Sequence, residues 1–254
     1  MSLDAARIAS LLTTRRFGRS LDVRARTGST NDDAREARSV PDGHVILADA
    51  QDAGRGARGR RWSSPAGTDL YFSILLDGAG LTPATMPTLT LAVGLGVAEA
   101  CEALCGEPLC VKWPNDVVHG AHKLAGVLVE SVSVGARLER VIIGVGVDVN
   151  RARFDDALAP IATSLARVAG ASLDREAAFA TLLGAIEREV DRFVAQGAGA
   201  IVPRVEARLA WRGRAVACDD VRGDLVGLRA DGALRVRSGD GAERALVSGT
   251  LRLA

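Results

Sequence analysis

The sequence predicts an α+β fold, a mixed or antiparallel sheet flanked by helices, followed by a small all-β unit. Three observations carry this. Strand-like and helix-like segments follow one another without the strict alternation of a doubly wound fold. One long helix candidate is almost wholly apolar and belongs at the centre of a core. After Trp211 the texture changes to short apolar runs broken by Asp-Gly and Gly-Asp-Gly, the spacing of short antiparallel strands. With 254 residues, 48% of them hydrophobic, there is material for one large domain and a small appendage, divided as 1–208 and 209–254.

The elements follow in order. Residues 4–16 have a helical apolar spacing. GSTNDDAREARSV opens a second helix, with Ser29 or Thr30 as N-cap and acidic residues in the first turn. HVILADA is a buried strand, and a glycine-arginine loop follows it. TDLYFSILL alternates as a strand. MPTLTLAVGLGVAEACEAL is the long apolar helix. LCVKW is a strand with PND as its turn. KLAGVLVESVSV and RVIIGVGVDV are two further strands joined through GARLE. LDREAAFATLLGAIEREVDRFVAQG is an amphipathic helix capped by Asp174 and ended by Gly197. PRVEARLAW is a last helix before the short strands.

Charge bounds the partners. The 32 basic and 31 acidic residues nearly cancel, so no global field grips DNA or anionic lipid. The N-terminus has no signal-peptide core, and no continuous run of about 18 apolar residues exists, so the expectation is a cytoplasmic protein with no membrane span. Cys101, Cys105, Cys110 and Cys218 form no C-x-x-C pair, and the three histidines lack ligand spacing, so no metal site is expected.

Lysine usage is sharper. Of the 32 basic residues only Lys112 and Lys123 are lysines; the rest are arginine. Where a lysine survives such a bias, a compact ammonium is needed and a guanidinium fork does not serve. Both stand in VKWPNDVVHGAHKLAGVLVE, beside Trp113 and Asn115, in a chain with three tryptophans and three asparagines.

The loop ADAQDAGRGARGRRW contains Gly54-Arg55-Gly56-Ala57-Arg58-Gly59, which fits G-x-G-x-x-G. A dinucleotide fingerprint needs a helix straight after its glycines, and RRWSSPAGTDLYFS is not one. A P-loop fails because no Gly-Lys-Ser/Thr follows. A solvated turn explains the charge but not the interleaved glycines. An RNA-binding loop lacks a second basic or aromatic stretch. Glycines that let backbone approach a ligand, and arginines that fork onto phosphate, are the reading that uses both residue types.

GSTN, QDAGRGARGRRW, KWPND, KLAGVLVE and GVGVDVN stand in the order found in biotin protein ligases, and over about residues 26–150 the chain resembles that family. The resemblance implies a class II synthetase-like catalytic domain with an SH3-like C-terminal barrel. About 25 residues precede GSTN, too few for a winged helix, so the resemblance is to the ligase-only type, without specific DNA binding. It implies ATP and biotin as substrates, Mg²⁺ on the phosphates, and a biotin carboxyl carrier domain of a carboxylase as partner. Sheet-edge pairing suits carrier docking or a homodimer.

The implied chemistry has two steps: formation of biotinyl-5′-adenylate with release of pyrophosphate, then attack by a carrier lysine with release of AMP. An anionic carboxylate must meet an anionic phosphate, which calls for fixed cations. Arg55, Arg58 and Arg60, with Lys112 and Lys123, are the candidates. By resemblance Ser29, Thr30, Asn31 and Gln51 match biotin positions, although Ser29-Thr30-Asn31 also reads as a plain helix cap. Gly54, Arg55, Gly56 and Ala57 match the loop that closes over the ligand, Lys123 matches the lysine that bonds the biotin carboxylate and then the adenylate ester, and Gly126 belongs to the ligand-binding set. Trp62 is a candidate cover for adenine or a structural residue. Asn115, Asp148 and Asn150 complete the nucleotide set, and Asp116 is the candidate base or orienting anion for the carrier amine. The glycines of GVGVDVN are read as room for the nucleotide. Two departures stand out: Ala57 where the family has Arg, and Asp148 where it has Asn. The loop 52–61 is expected to be mobile without ligand, its arginines lacking an anion. Two other readings stay open, a lipoate or octanoate ligase or transferase of similar fold, and a non-catalytic biotin-sensing protein.

Overall fold

The computed structural model describes residues 3–135 and 137–254. The segment expected to join two central strands includes Ala136, which lies outside the described residues. In chain order the first part holds α1 (Ala5–Leu11), β1 (Leu21–Arg24), α2 (Thr30–Glu36), β2 (Val45–Ala48), β3 (Leu70–Asp77), α3 (Met86–Cys105), β4 (Cys110–Lys112), β5 (Asp116–His119), β6 (His122–Val134), β7 (Arg137–Val147), α4 (Leu165–Ala169), α5 (Arg175–Gln196) and α6 (Ala198–Ala207). The second holds β8 (Ala215–Cys218), β9 (Val221–Leu228), β10 (Leu234–Arg237), β11 (Glu243–Leu246) and β12 (Leu251–Leu253).

Seven strands form one mixed sheet in the order β1-β2-β3-β7-β6-β5-β4. Only β1 and β2 pair in parallel; the other neighbours are antiparallel. The last five strands form a separate antiparallel sheet, β11-β10-β9-β8-β12. This is the mixed sheet with helices and the small C-terminal β domain that the sequence predicts.

Local chemistry sets the helix ends. The Asp4 carboxylate accepts the N–H groups of Ala6 and Arg7, and that of Asp174 accepts those of Glu176 and Ala177. Gly106 closes α3 in the left-handed region at φ +74°. Three expectations shift. The first helix stops at Leu11 rather than residue 16, because the buried Glu187 carboxylate takes the N–H groups of Arg15, Arg16 and Phe17 and turns the chain. Pro203 lies inside α6, since Gly197 ends α5 and a new helix opens at once at Ala198. β3 is buried at every position from Leu70 to Leu76, not on one face. Ala34 of α2 packs with Ile46, Leu75 and Ile142 on one side, while Phe72 meets Phe179 of α5 edge-on, centroids 5.1 Å apart, on the other.

α3 is the core helix. Pro83–Cys105 is long and apolar enough to cross a membrane, but 67% of its apolar window is buried inside this fold. It packs on α5 at backbone contact: a Cβ on Gly96 would stand 2.9 Å from the Ala185 carbonyl oxygen and the Ile186 Cα. Alanine normally favours a helix over glycine by about 1 kcal/mol. Here overpacking dominates, and Gly96→Ala should destabilise the protein by about 1–3 kcal/mol in urea unfolding. Gly94→Ala, whose nearest neighbour would be 3.7 Å away, should be neutral or stabilising. Equal effects at the two positions would refute the close α3–α5 contact.

Candidate active site

The site lies where the loop after β2 crosses the β6–β7 pair. Gly126 on β6 stands opposite Gly146 on β7, between Asp116 on β5 and Tyr71 on β3, so the two middle positions of this lateral row carry no side chain. Neighbours fill the trough this leaves. The Trp62 ring lies on it: a Cβ on Gly146 would come within 2.5 Å of the indole, and one on Gly126 within 2.9 Å. A Cβ on Gly144 would overlap the Asn31 side chain. These glycines receive Trp62 and Asn31, and they also form part of the cavity lining.

The Ser29–Asn31 turn forms one wall. Ser29 is the N-cap of α2 by backbone position, but its side chain makes no capping bond, so the plain helix-cap reading does not account for it. The Gln51 amide oxygen accepts the Thr30 N–H at 2.9 Å, and its nitrogen donates to Ser64 Oγ at 2.9 Å. Ser73 donates to Asn31 Oδ1 at 2.6 Å, and Asn31 Nδ2 donates to Glu130 at 2.7 Å. Asn115 is fixed by its Nδ2 bond to the Val127 carbonyl, 2.8 Å.

Opposite stands a cluster of charge. Lys123 Nζ lies 2.6 Å from Asp116 Oδ1 and 5.0 Å from the Trp62 ring centroid. Lys112 Nζ lies 3.5 Å from Asp116 Oδ2 and over the Trp211 ring. Burial pushes the Lys112 ammonium below its ordinary pKa, with Asp116 partly offsetting this. Asp116 is 6% exposed, and Oδ1 makes an ion pair without hydrogen-bond geometry. Trp62 Nε1 is likewise buried and unpartnered.

The loop closes this space. Gly56 N–H donates to the Arg60 carbonyl at 2.7 Å, and Trp62 N–H to that of Gly54 at 2.9 Å. The cleft beneath is partly open to solvent, holds about 40 Å³ and is lined by Ser29, Thr30, Asn31 and Gln51, by Arg55, Gly56, Ala57 and Trp62, and by Asn115, Lys123, Gly126, Gly144 and Gly146. That is room for about a water molecule. Most of the predicted site thus converges on one place.

Several predicted residues do not. The Arg58 guanidinium turns outward onto Asp219, both contacts 2.9 Å. Arg60 folds back, its Nε donating to the Ala57 carbonyl at 3.1 Å, though its charge still acts on Lys112. Gly54 is pressed against the Trp62 carbonyl behind the lining. Asn150 holds both backbone groups of Leu173, ahead of α5. Asp148 is buried beside Arg151, 3.2 Å away, with Oδ1 again lacking a hydrogen bond. Burial, then the charge of Asp69, pushes its carboxyl up to about 8.

The loop arginines do not lack anions, as the sequence suggested. Arg55 reaches Asp32 at 2.7 Å and Glu130 at 2.8 Å. Half-burial opposes the Glu130 charge, but hydrogen bonds from Asn31 and Arg35 and the charge of Arg55 hold its carboxyl below the usual range. Sequence reading missed Asp32, Glu130, Ser73 and Asp219. Only Glu130 carried a signal, as the last residue of KLAGVLVE.

Residues 20–148 match the family model described as the Biotin/lipoate A/B protein ligase family. Over 190 residues the chain is 33% identical to the bifunctional ligase/repressor BirA of Bacillus spizizenii, covering 73% of this chain and 58% of that protein. It is 36% identical over 178 residues to the biotin–[acetyl-CoA-carboxylase] ligase of Mycobacterium tuberculosis, covering 68% and 64%. The chain thus spans less than two thirds of the length of these relatives. The solved structure of the biotin protein ligase from Aquifex aeolicus in complex with biotin and ATP superposes with a TM-score of 0.84 at 29% identity, covering 93% of this chain and 100% of that one.

Asp148 gives a pH signature. Its folded pKa of about 8 lies above the unfolded carboxylate value of about 4, so the stability it contributes is complete below about pH 4 and lost as pH rises toward 8. Asp148→Asn, uncharged throughout, should gain melting temperature relative to the parent between pH 5 and pH 8 and then level off. Parallel curves across that window would contradict the buried-charge account.

Proposed function

Since this chain belongs to the biotin/lipoate A/B protein ligase family, we propose that it joins biotin to a lysine of a biotin carboxyl carrier domain, with ATP as co-substrate and biotinyl-5′-adenylate as intermediate. The observation that carries this reading is the shared cavity: Lys123, from β6, and the glycine-arginine loop, far away in sequence, line the same space.

In the first step a biotin carboxylate oxygen bonds to the α-phosphorus of ATP as the bond to the β-phosphate breaks and pyrophosphate leaves. Two anions must approach, and the Lys123 ammonium is the fixed cation of the cavity suited to bridge them. Asp116 holds that ammonium in place. The ureido ring of biotin donates and accepts hydrogen bonds, which suits the Ser29 hydroxyl, unused as a cap, and the Thr30–Gln51 pair. A ligand of this size extends beyond the cleft, which is open to solvent, and a shift of the Trp62 ring off Gly126 and Gly146 would deepen it. The unpartnered indole N–H then gains an acceptor.

Mg²⁺ enters with ATP as part of the substrate. The ion would ride on the ATP phosphates, as Mg²⁺ commonly does with nucleotides. In the second step the carrier amine bonds to the acyl carbon, the acyl–phosphate bond breaks and AMP leaves. The amine must lose a proton, and Asp116 is the anion at the site to orient it; with Lys112 and Lys123 as neighbours, orientation is its better-supported role.

We take 1–208 as the catalytic domain, a boundary that falls just after α6. We assign the enzyme to the cytoplasm, and docking or self-association to a sheet edge. Biotin is favoured over lipoate by the names of the relatives, and direct binding of both acids separates the two.

The test is biotin-dependent ATP–pyrophosphate exchange, with mass spectrometry of a carrier domain after incubation with biotin and ATP. One added biotinyl group is expected; no exchange would remove the ligase reading. Lys123→Gln should lower the exchange rate by about 10²–10³-fold, the range for losing one preorganised donor at a developing charge. Ala57 removes a side chain from the cavity wall that the family usually supplies. Ala57→Arg should slow escape of biotinyl-adenylate in a filter-retention assay; an unchanged off-rate would show that position 57 does not govern retention.

A further inference from the structure

We propose that Asp219, in the C-terminal domain, is a positioning residue that holds the glycine-arginine loop over the cavity by gripping Arg58. This rests on the cavity being the ligase site and gives the C-terminal domain a part in it.

The contact joins residues 161 apart in sequence. Arg58 presents both terminal nitrogens, Nη1 to Asp219 Oδ1 and Nη2 to Oδ2, each at 2.9 Å, the fork-on-fork geometry that fixes direction as well as distance. Nη1 also reaches Thr250 Oγ1 at 3.1 Å. Asp219 Oδ1 accepts the Thr250 backbone N–H at 3.1 Å, so the carboxylate is braced from behind. The Arg58 hydrogen bond, then that of Thr250, keeps the Asp219 carboxyl below its ordinary value.

Backbone geometry at both ends sets this pair apart from a chance surface contact. Arg58 has φ +60° and Asp219 φ +51°; at Asp219 the tight hairpin turn calls for the left-handed region, and it fixes the direction in which the carboxylate is presented. Asp219 occupies the two-residue turn between β8 and β9. That sheet is itself tied to the catalytic domain: Trp113 Nε1 donates to the Gly232 carbonyl at 3.1 Å, and Thr88 Oγ1 to that of Asp231 at 3.0 Å. The carboxylate is therefore presented from a fixed body.

The loop is thus held at two points on opposite sides. Arg55 is drawn to Asp32 and Glu130, and Arg58 to Asp219, with Gly56 and Ala57 between them facing the cavity. Releasing the Asp219 end frees the stretch that covers the ligand and leaves the residues beneath untouched.

The experiment reads the loop directly in the ligand-free protein. Limited trypsinolysis, followed by mass spectrometry, measures cleavage after Arg60 and Arg61. Asp219→Asn keeps the shape and the Thr250 contact but removes the charge; it should speed loop cleavage by about fivefold, the scale of an exposed ion pair's effect on local opening, with an unchanged melting temperature. The charge-reversed double variant, Arg58→Asp with Asp219→Arg, should return cleavage to within about twofold of the parent, which a merely structural Asp219 would not do. In parallel, biotin should leave Asp219→Asn faster than the parent and leave the double variant at the parent's rate. Cleavage that does not rise in Asp219→Asn, or a rise that charge reversal fails to correct, overturns the proposal. Failure of the parent to bind biotin would instead remove the ligase reading, because the cleavage arm needs no ligand.

Discussion

The site depends on a trough cut into the sheet by missing side chains. Where β6 and β7 pass under the loop, Gly126 faces Gly146, and Gly144 lies two residues back along β7. Two bulky groups from elsewhere in the chain drop into that space: the Trp62 indole and the Asn31 amide. Everything above is set by that seating. Trp62 ends the glycine-arginine loop, so its depth fixes how low the loop lies. Asn31 begins α2, and its bonds to Ser73 and Glu130 fix the polar wall. A single methyl group on the trough floor would lift one or the other, because close-packed interiors have no slack to absorb it.

Charge is the second constraint. Arginines that look unmatched along the sequence are matched in the fold, Arg55 by Asp32 and Glu130 and Arg58 by Asp219. An incoming phosphate therefore competes with protein carboxylates for Arg55. Lys123 differs: its partner Asp116 lies inside the cluster with Lys112, so two ammonium groups share one carboxylate and the cluster keeps net positive charge. Low local dielectric strengthens that excess toward an anion entering the cavity. Arg55 and Arg58 thus anchor the loop, whereas Lys123 lines the cavity beside Asp116.

Beneath the site runs a buried ionic layer that no motif announced. Arg151 bonds to Asp69 at 2.8 Å through Nε and to the Ser63 carbonyl at 2.8 Å through Nη2, and Arg175 reaches Asp49 at 2.5 Å. It ties the strand after Trp62 to the start of α5. Asp148, the departure from the family's asparagine, adds an incompletely bonded carboxylate to this layer rather than a contact in the cavity. Burial keeps its carboxyl protonated up to about pH 8, and the cost of its charge appears above that.

The sequence by itself determined the order of the longer elements, the mixed sheet, the change of texture after Trp211, and the segments that supply the site; the short β1, β5 and α4 went unread. Those properties are local: periodicity, caps, breakers, and a lysine count so low that two survivors marked their own segment. Tertiary structure decided which arginine faces inward, what fills the glycine positions, and where β3 is covered on both faces. It also drew Asn150 and Asp148 away from the cavity and Arg58 across to Asp219. Each of these depends on groups more than twenty residues apart, or on which side of a strand a neighbour packs. A chain's local preferences carry no record of the partner that burial will bring to a side chain.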